Sequence, residues 1–203
     1  MEEKITFTVV GYKYNYEWEL FINCLLLQTD PRWKCQLIND GPDPIAKKVC
    51  SRYVDEFPDK FEYSFTNQRI NDWGHSLRDV GLKQADTMYW STQNADNYLM
   101  PTFVEYNLEA FKTRECDMTI FPCVHNYTNI NPPKKSPPYC VLDVAPKANR
   151  CDAGSMVIKT ELAQSVGWNH RFNQADGAFI EDIMKLNPMP RVYKLPNILM
   201  VHN

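Results

Sequence analysis

The first half of the chain alternates β-branched and aromatic runs with stretches whose apolar residues recur at helical spacing. Ile5–Val10 is such a run and predicts a buried strand. Glu17–Gln28 follows with helix-compatible spacing, and Asp30-Pro31 stops it. Lys34–Ile38 predicts a second strand, closed by the turn-forming Asn39-Asp40-Gly41-Pro42. Pro44–Phe57 reads as a helix with Asp43 as N-cap and Pro44 at its first position. Phe61–Phe65 is a strand, Gly74–Ala85 a helix, Met88–Thr92 a strand, Pro101–Lys112 a helix and Met118–Val124 a strand. This alternation predicts an α/β fold, a mostly parallel sheet with helices on both faces. Such sheets bind ligands at the carboxyl ends of their strands. The loops after Val10, Ile38, Phe65 and Thr92 are therefore where chemistry is expected.

The second half changes character. Asn131–Asn149 is rich in proline and lysine and reads as a long mobile loop, the kind that often serves as a lid. A strand at Met156–Lys159, helices at Thr160–Val166 and Asp176–Leu186, and an extended stretch at Arg191–Val201 complete the pattern. No internal repeat is present. The expectation is one domain over residues 1–203 with two lobes, 1–115 and 116–203.

Composition narrows the function classes. A hydrophobic share of 44% supports a packed core, and a net charge of −3 gives no basic face for nucleic acid. No run approaches the roughly 20 apolar residues of a membrane-spanning helix. The charged start Met1-Glu2-Glu3-Lys4 lacks the apolar core of a signal peptide. The seven cysteines are scattered with no Cys-x-x-Cys pair, which predicts reduced thiols and a cytoplasmic protein.

Three loops carry candidate chemistry. Asn94-Ala95-Asp96 follows a strand and precedes a proline-led helix, so its oxygen side chains stand at the mouth of the sheet. Such oxygens suit a hard cation that also holds phosphates, although the same residues make turns and caps. Asp40 ends another strand on the same edge and can accept a hydrogen bond from a base N–H. In the segment 71–81, Arg78 could face a diphosphate, and His75 could donate to phosphate. Either could equally be a surface group. Trp73 and Trp168 flank these loops and are candidates for stacking, with packing the commoner role.

Four stretches, in order and at matching spacing, resemble the GT-A glycosyltransferases, particularly the inverting family-2-like enzymes. They are Val9-Val10-Gly11-Tyr12-Lys13-Tyr14-Asn15, Leu26-Leu27-Gln28-Thr29-Asp30-Pro31-Arg32-Trp33, Gly74-His-Ser76-Leu-Arg78-Asp79-Val-Gly81 and Asn94-Ala-Asp96-Asn-Tyr-Leu-Met-Pro101. The match covers roughly residues 5–110. Two later stretches match more loosely: Cys151-Asp152-Ala-Gly154-Ser155 and Val166-Gly167-Trp168-Asn-His170-Arg171-Phe172 leading to Asp176.

The resemblance implies a UDP-sugar donor, an acceptor hydroxyl on a glycan or other molecule, and a Mn²⁺ or Mg²⁺ cofactor. It makes residues 1–115 the nucleotide-sugar half and 116–203 the acceptor half. Gly11, Tyr12, Tyr14 and Asp40 would take the base, with Trp73, His75, Arg78, Asn94, Ala95 and Asp96 around the nucleotide sugar. Gly154 and Ser155 would let the backbone approach the donor sugar. Asp96, Asn94 and His202 would hold the metal, and Asp176 would be the base, with Glu181-Asp182 as a rival acidic pair. Two positions depart from the family pattern: Asn94 stands where a first acid is usual, and Ala175 precedes the presumed base. The alternative is a catalytically weak nucleotide-sugar-binding module of a larger protein. No Gly-rich basic loop of a nucleotidyltransferase and no Gly-x-Gly-x-x-Gly of a dehydrogenase follows a strand.

Overall fold

The computed structural model describes residues 1–126 and 139–203. Its elements run β1 (Glu2–Gly11), α1 (Glu17–Leu26), β2 (Trp33–Asn39), α2 (Pro44–Glu56), β3 (Phe61–Phe65), α3 (His75–Gln84), β4 (Thr87–Asn94), β5 (Tyr98–Leu99) and α4 (Phe103–Arg114). Then follow β6 (Met118–Ile120), β7 (Cys123–Asn126), β8 (Tyr139–Leu142), β9 (Met156–Lys159), α5 (Thr160–Val166), α6 (Ala175–Met184), β10 (Val192–Lys194) and β11 (Met200–His202).

Local chemistry explains the helix limits. In α1 the buried positions Trp18, Phe21, Ile22 and Leu25 recur at helical spacing, and Glu17 and Glu19 sit in its first turn, where the helix dipole favours acids. The helix ends at Leu26, where the backbone tightens and Gln28 N–H donates to Leu25 O, three residues back. Gln28 Nε2 donates to the Cys24 and Met100 carbonyls, and its Oε1 accepts from Val104 N–H, tying α1 to α4. Asp43 caps α2 through Oδ1, which accepts from Ile45 N–H at 2.8 Å and Ala46 N–H at 2.9 Å, with Pro44 just inside.

Seven strands form the main sheet in the order β10-β6-β9-β4-β1-β2-β3. Strands β3, β2, β1 and β4 are parallel to one another, while β9 runs antiparallel to both β4 and β6. Ile5–Val10 of β1 and Tyr89–Gln93 of β4 are buried without alternation, so helices cover both faces there. The sheet is α/β and mostly parallel, as the sequence predicts. A smaller sheet, β5-β11-β7-β8, stands beside it.

Part of the expected loop at 131–149 is ordered differently. Tyr139–Leu142 forms β8, antiparallel to β7, because its alternation of exposed and half-buried residues suits an edge strand. Residues 131–138 lie outside the described residues. All seven cysteines are free thiols. Among the described residues, no helix is long and apolar enough to cross a membrane.

Candidate functional site

Parallel pairing sets Gly11 opposite Asn39, and Val10 opposite both Ile38 and Asn94. The carboxyl ends of β1, β2 and β4 therefore stand abreast. They open onto a cavity of about 460 Å³ lined by Gly11, Tyr12, Lys13, Asp40, Arg69, Trp73, Asn94, Ala95 and Asp96 among others. The rim is held in unusual backbone conformations. Lys13, Asn71 and Trp73 have φ of 60°, 61° and 56°, and Gly74 has φ of 78°. Left-handed backbone at non-glycine residues costs energy and concentrates at functional sites. Here it turns Trp73 outward, 65% exposed at the cavity mouth.

Asp40 is buried, and its carboxylate accepts from Ile70 N–H at 2.7 Å and Asn71 N–H at 2.9 Å. It thus fixes the loop after β3 against the end of β2. Tyr12 lies under the guanidinium of Arg69, 3.5 Å from the ring centroid to Cζ. Sequence reasoning missed Arg69, since a lone arginine in an irregular loop has no periodicity to mark it. Ala95 N–H donates to Val10 O and locks the turn after β4 onto β1.

Not every expected residue reaches the cavity. Tyr14 is turned away: its N–H donates to Asp43 and its hydroxyl to Glu19 at 2.5 Å. His75 is 5% exposed, stacked on the fully buried Trp168, whose Nε1–H donates to His75 Nδ1 at 3.2 Å. Both rings belong to the core beneath the site. Gly154 packs inward, since a Cβ there would stand 2.5 Å from both Gln93 Oε1 and Met200 Sδ. Ser155 is fully buried and donates to the Asp152 carbonyl at 2.7 Å. These two residues shape the turn that presents Asp152.

Beside the cavity, charges converge. Arg78 is 4% exposed. Its Nη1 donates to Trp73 O at 2.6 Å, and its Nη2 donates to Asn94 Oδ1. Asn94 thus offers one lone pair of its side-chain oxygen to Arg78. Burial pulls the Arg78 pKa down to about 10, against the opposing pull of Asp176, Asp152, Asp72 and Asp96. Asp96 lines the cavity with a buried Oδ1 that has no hydrogen-bond partner. Burial, then the negative charge of Asp152, raises both its pKa and that of Asp176, the latter in the first turn of α6.

Asp152, within the loosely matching stretch at 151–155, and His125, which no motif marks, complete this cluster. Asp152 Oδ2 lies 2.9 Å from His202 Nδ1 and 3.9 Å from His125 Nε2. Burial opposes a charge on His202, but Asp152, with Asp96 and Asp176 behind it, outweighs burial and raises its pKa. The three ligand atoms lie within 4.8 Å of one another. Two imidazoles and a carboxylate fit a divalent transition-metal ion. The rival acids point elsewhere: Glu181 accepts from Ala148 N–H, and Asp182 pairs with His170 at 2.6 Å and with Lys185 at 2.9 Å.

His75 makes one consequence measurable. Burial, with help from Arg78, lowers its pKa from 6.5 to about 4. The unfolded chain therefore takes up this proton first as pH falls. The contribution of neutral His75 to stability is complete above pH 6.5 and is lost as pH drops from there toward 4, by about 3 kcal/mol in all. Urea unfolding across that window is expected to show a shallower pH dependence for His75→Gln than for the wild type.

The family model described as glycosyl transferase family 2 matches residues 19–182. No curated protein matches the chain. Among solved structures, the crystal structure of S. aureus TarS 1–349 is similar at a TM-score of 0.75 and 14% identity, over 98% of this chain and 60% of that one. TarS 1–349 in complex with UDP-GlcNAc aligns at 0.74 and 13%, over 98% and 58%. The mannosyltransferase PcManGT from Pyrobaculum calidifontis, in complex with GDP-Man and Mn²⁺, aligns at 0.71 and 13%, over 98% and 56%. The chain thus spans at most about three fifths of the length of these proteins. At such identities the likeness establishes the fold, which is GT-A. With the family match extending over most of its length, the chain belongs to glycosyl transferase family 2.

Proposed function

We propose that the chain transfers a sugar from a UDP-sugar to an acceptor hydroxyl by a single inverting displacement, with Mn²⁺ or Mg²⁺ as cofactor. One observation carries this reading: Asp96, Asp152, Asp176, Arg78 and His202 share one electrostatic neighbourhood at the carboxyl edge of the sheet, beside a nucleotide-sized cavity. In this reading the base enters near Tyr12, Asp40 and Arg69, with the Asp40 carboxylate holding the loop that frames it. Lys13 and Arg69 supply positive charge where phosphates lie. The exposed indole of Trp73 covers the mouth.

Asp96 and His202 would hold the cation, and the buried, unpartnered Oδ1 of Asp96 fits that role. When bound, the ion supplies Lewis acidity toward the departing diphosphate. Arg78 orients Asn94 and adds a fixed positive charge close by. Asp176 takes the proton from the acceptor hydroxyl as that oxygen attacks the anomeric carbon. A raised pKa makes it a stronger base than an exposed carboxylate. The scattered cysteines fit a reducing compartment, which supports a cytoplasmic reaction in this reading, and further domains would complete acceptor recognition.

Calorimetric titration of UDP with and without Mn²⁺ tests the donor assignment, with binding expected to be manganese-dependent. No binding of UDP under either condition overturns it. The second reading, a binding module, draws on the engagement of Asn94 by Arg78. It predicts UDP binding with neither transfer nor hydrolysis of any UDP-sugar.

A further inference from the structure

We infer that Trp73 and Phe172 form an aromatic platform for the acceptor, and that the acceptor is a carbohydrate held by the apolar face of a sugar ring beside Asp176. The inference rests on the proposed reading of Asp176 as the base, and it names the substrate class that reading left open.

Both rings stand in water, Trp73 at 65% exposure and Phe172 at 48%. Single exposed aromatics are ordinary, but these two are held rigidly. Trp73 has φ of 56°, between Asn71 at 61° and Gly74 at 78°, and its carbonyl accepts from Arg78 Nη1 at 2.6 Å. Gly74 packs so closely that a Cβ there would stand 2.8 Å from Val10 Cγ2. Backbone this costly persists where its surroundings enforce it.

Phe172 is fixed through its neighbour Arg171. Nη1 of that guanidinium donates to Trp168 O and, at 3.0 Å, to His170 O. Its Nε donates to Ser76 Oγ at 3.2 Å, and its Nη2 lies 3.4 Å from Asp79 Oδ2. The same Nε lies 3.7 Å from Asp72 Oδ2. One ion pair thereby joins the residue before Trp73 to the residue before Phe172. Phe172 O then accepts from Ala175 N–H at 2.9 Å, which leads the chain into α6 with Asp176 in its first turn. The platform runs from the mouth of the donor cavity, which Trp73 lines, to the base.

Its chemistry selects the occupant. A pyranose ring carries a patch of C–H bonds on one face and hydroxyls around its rim. The patch packs on an aromatic face, and the rim meets hydrogen-bonding groups. Here the groups at the join are Asp72, Ser76, Asp79 and Arg171, each able to bond a hydroxyl. An acyl or prenyl chain needs a largely apolar groove, and these polar side chains interrupt one. A sugar held there presents its rim to the start of α6, where Asp176 stands.

Saturation-transfer difference NMR on the full chain tests the platform. The probes are the methyl glycosides of glucose, galactose, mannose and N-acetylglucosamine, with geranyl phosphate as the lipid control, each with and without UDP and Mn²⁺. At least one glycoside is expected to take up saturation, strongest on the protons of one ring face. Phe172→Leu keeps apolar bulk and loses the flat face. It should weaken that glycoside about 5-fold to 10-fold while UDP affinity holds within about 2-fold, and Trp73→Leu should weaken the glycoside similarly. Both side chains are exposed, so neither change opens the core. No saturation of any glycoside under either condition overturns the inference, and so does binding that neither leucine variant weakens; UDP binding in the same samples leaves the donor reading standing. Saturation of geranyl phosphate alone also overturns it and assigns a lipid acceptor. A glycoside held on both rings in a protein that never binds UDP supports the platform and removes the donor reading.

Discussion

Asparagine at position 176 is expected to lower kcat by about 10²–10⁴-fold, the range that a positioned general base contributes, with little change in KM for the donor. The substitution keeps the shape and the hydrogen bond from Gly177 N–H to Oδ1, 2.8 Å in the wild type. It removes only the ability to accept a proton. Asp176 stands in the first turn of α6, half-enclosed, with Asp152 and Arg78 in electrostatic reach. Glu181→Gln and Asp182→Asn should stay near the wild-type rate, because those carboxylates serve Ala148, His170 and Lys185. Steady-state kinetics on the three variants checks the assignment. An Asp176→Asn enzyme with full kcat sinks it.

Removal of Asp96 should be equally severe and differ in kind. Asp96→Ala is expected to abolish the manganese dependence of UDP binding and to cost about 10²–10³ in kcat, as loss of one group stabilising developing charge does. The carboxylate lines the cavity with an oxygen that no protein donor satisfies. A buried polar atom left without a partner is costly unless a ligand completes it. The alanine variant loses no internal hydrogen bond through Oδ1, so the melting temperature should hold while metal-linked binding disappears. Calorimetry of UDP with Mn²⁺ on folded Asp96→Ala separates the two. Full metal-dependent transfer by this variant excludes Asp96 as a ligand.

The sequence carried the centre of the main sheet because β1, β2 and β4 are long and buried on both faces. Ile5–Val10 and Met88–Thr92 could hardly be anything else. The small sheet was illegible for the opposite reason: β5, β8 and β11 span two to four residues, too few for a period to register. Met200–His202 was absorbed into one extended stretch, although it pairs with two strands from distant parts of the chain.

The site divides in the same way. Asp40 and Asp96 end strands in turn-forming sequences, so position alone marks them. Tyr14 and His75 sit in the right motifs, but their side chains are claimed by Glu19 and Trp168, contacts that no local pattern records. His125, Asp152 and Arg69 gain meaning only when the chain brings them to partners elsewhere in the sequence.

One strand reversal has a consequence for how this edge can change. Strand β9 enters the sheet where β4 leaves it, so the turn at Asp152–Ser155 meets the end of β4, with Gln93 Nε2 bonded to Gly154 O at 2.9 Å. Run in the other direction, the four residues of β9 would carry that turn roughly 13 Å away, to the far rim of the sheet. The reversal lets two halves of the chain, separated by some sixty positions, share a single workbench. Residues ahead of Asp152 can lengthen or shorten without disturbing the register of the parallel strands. Sequence drift in that approach would retune the chemistry while the architecture stays put.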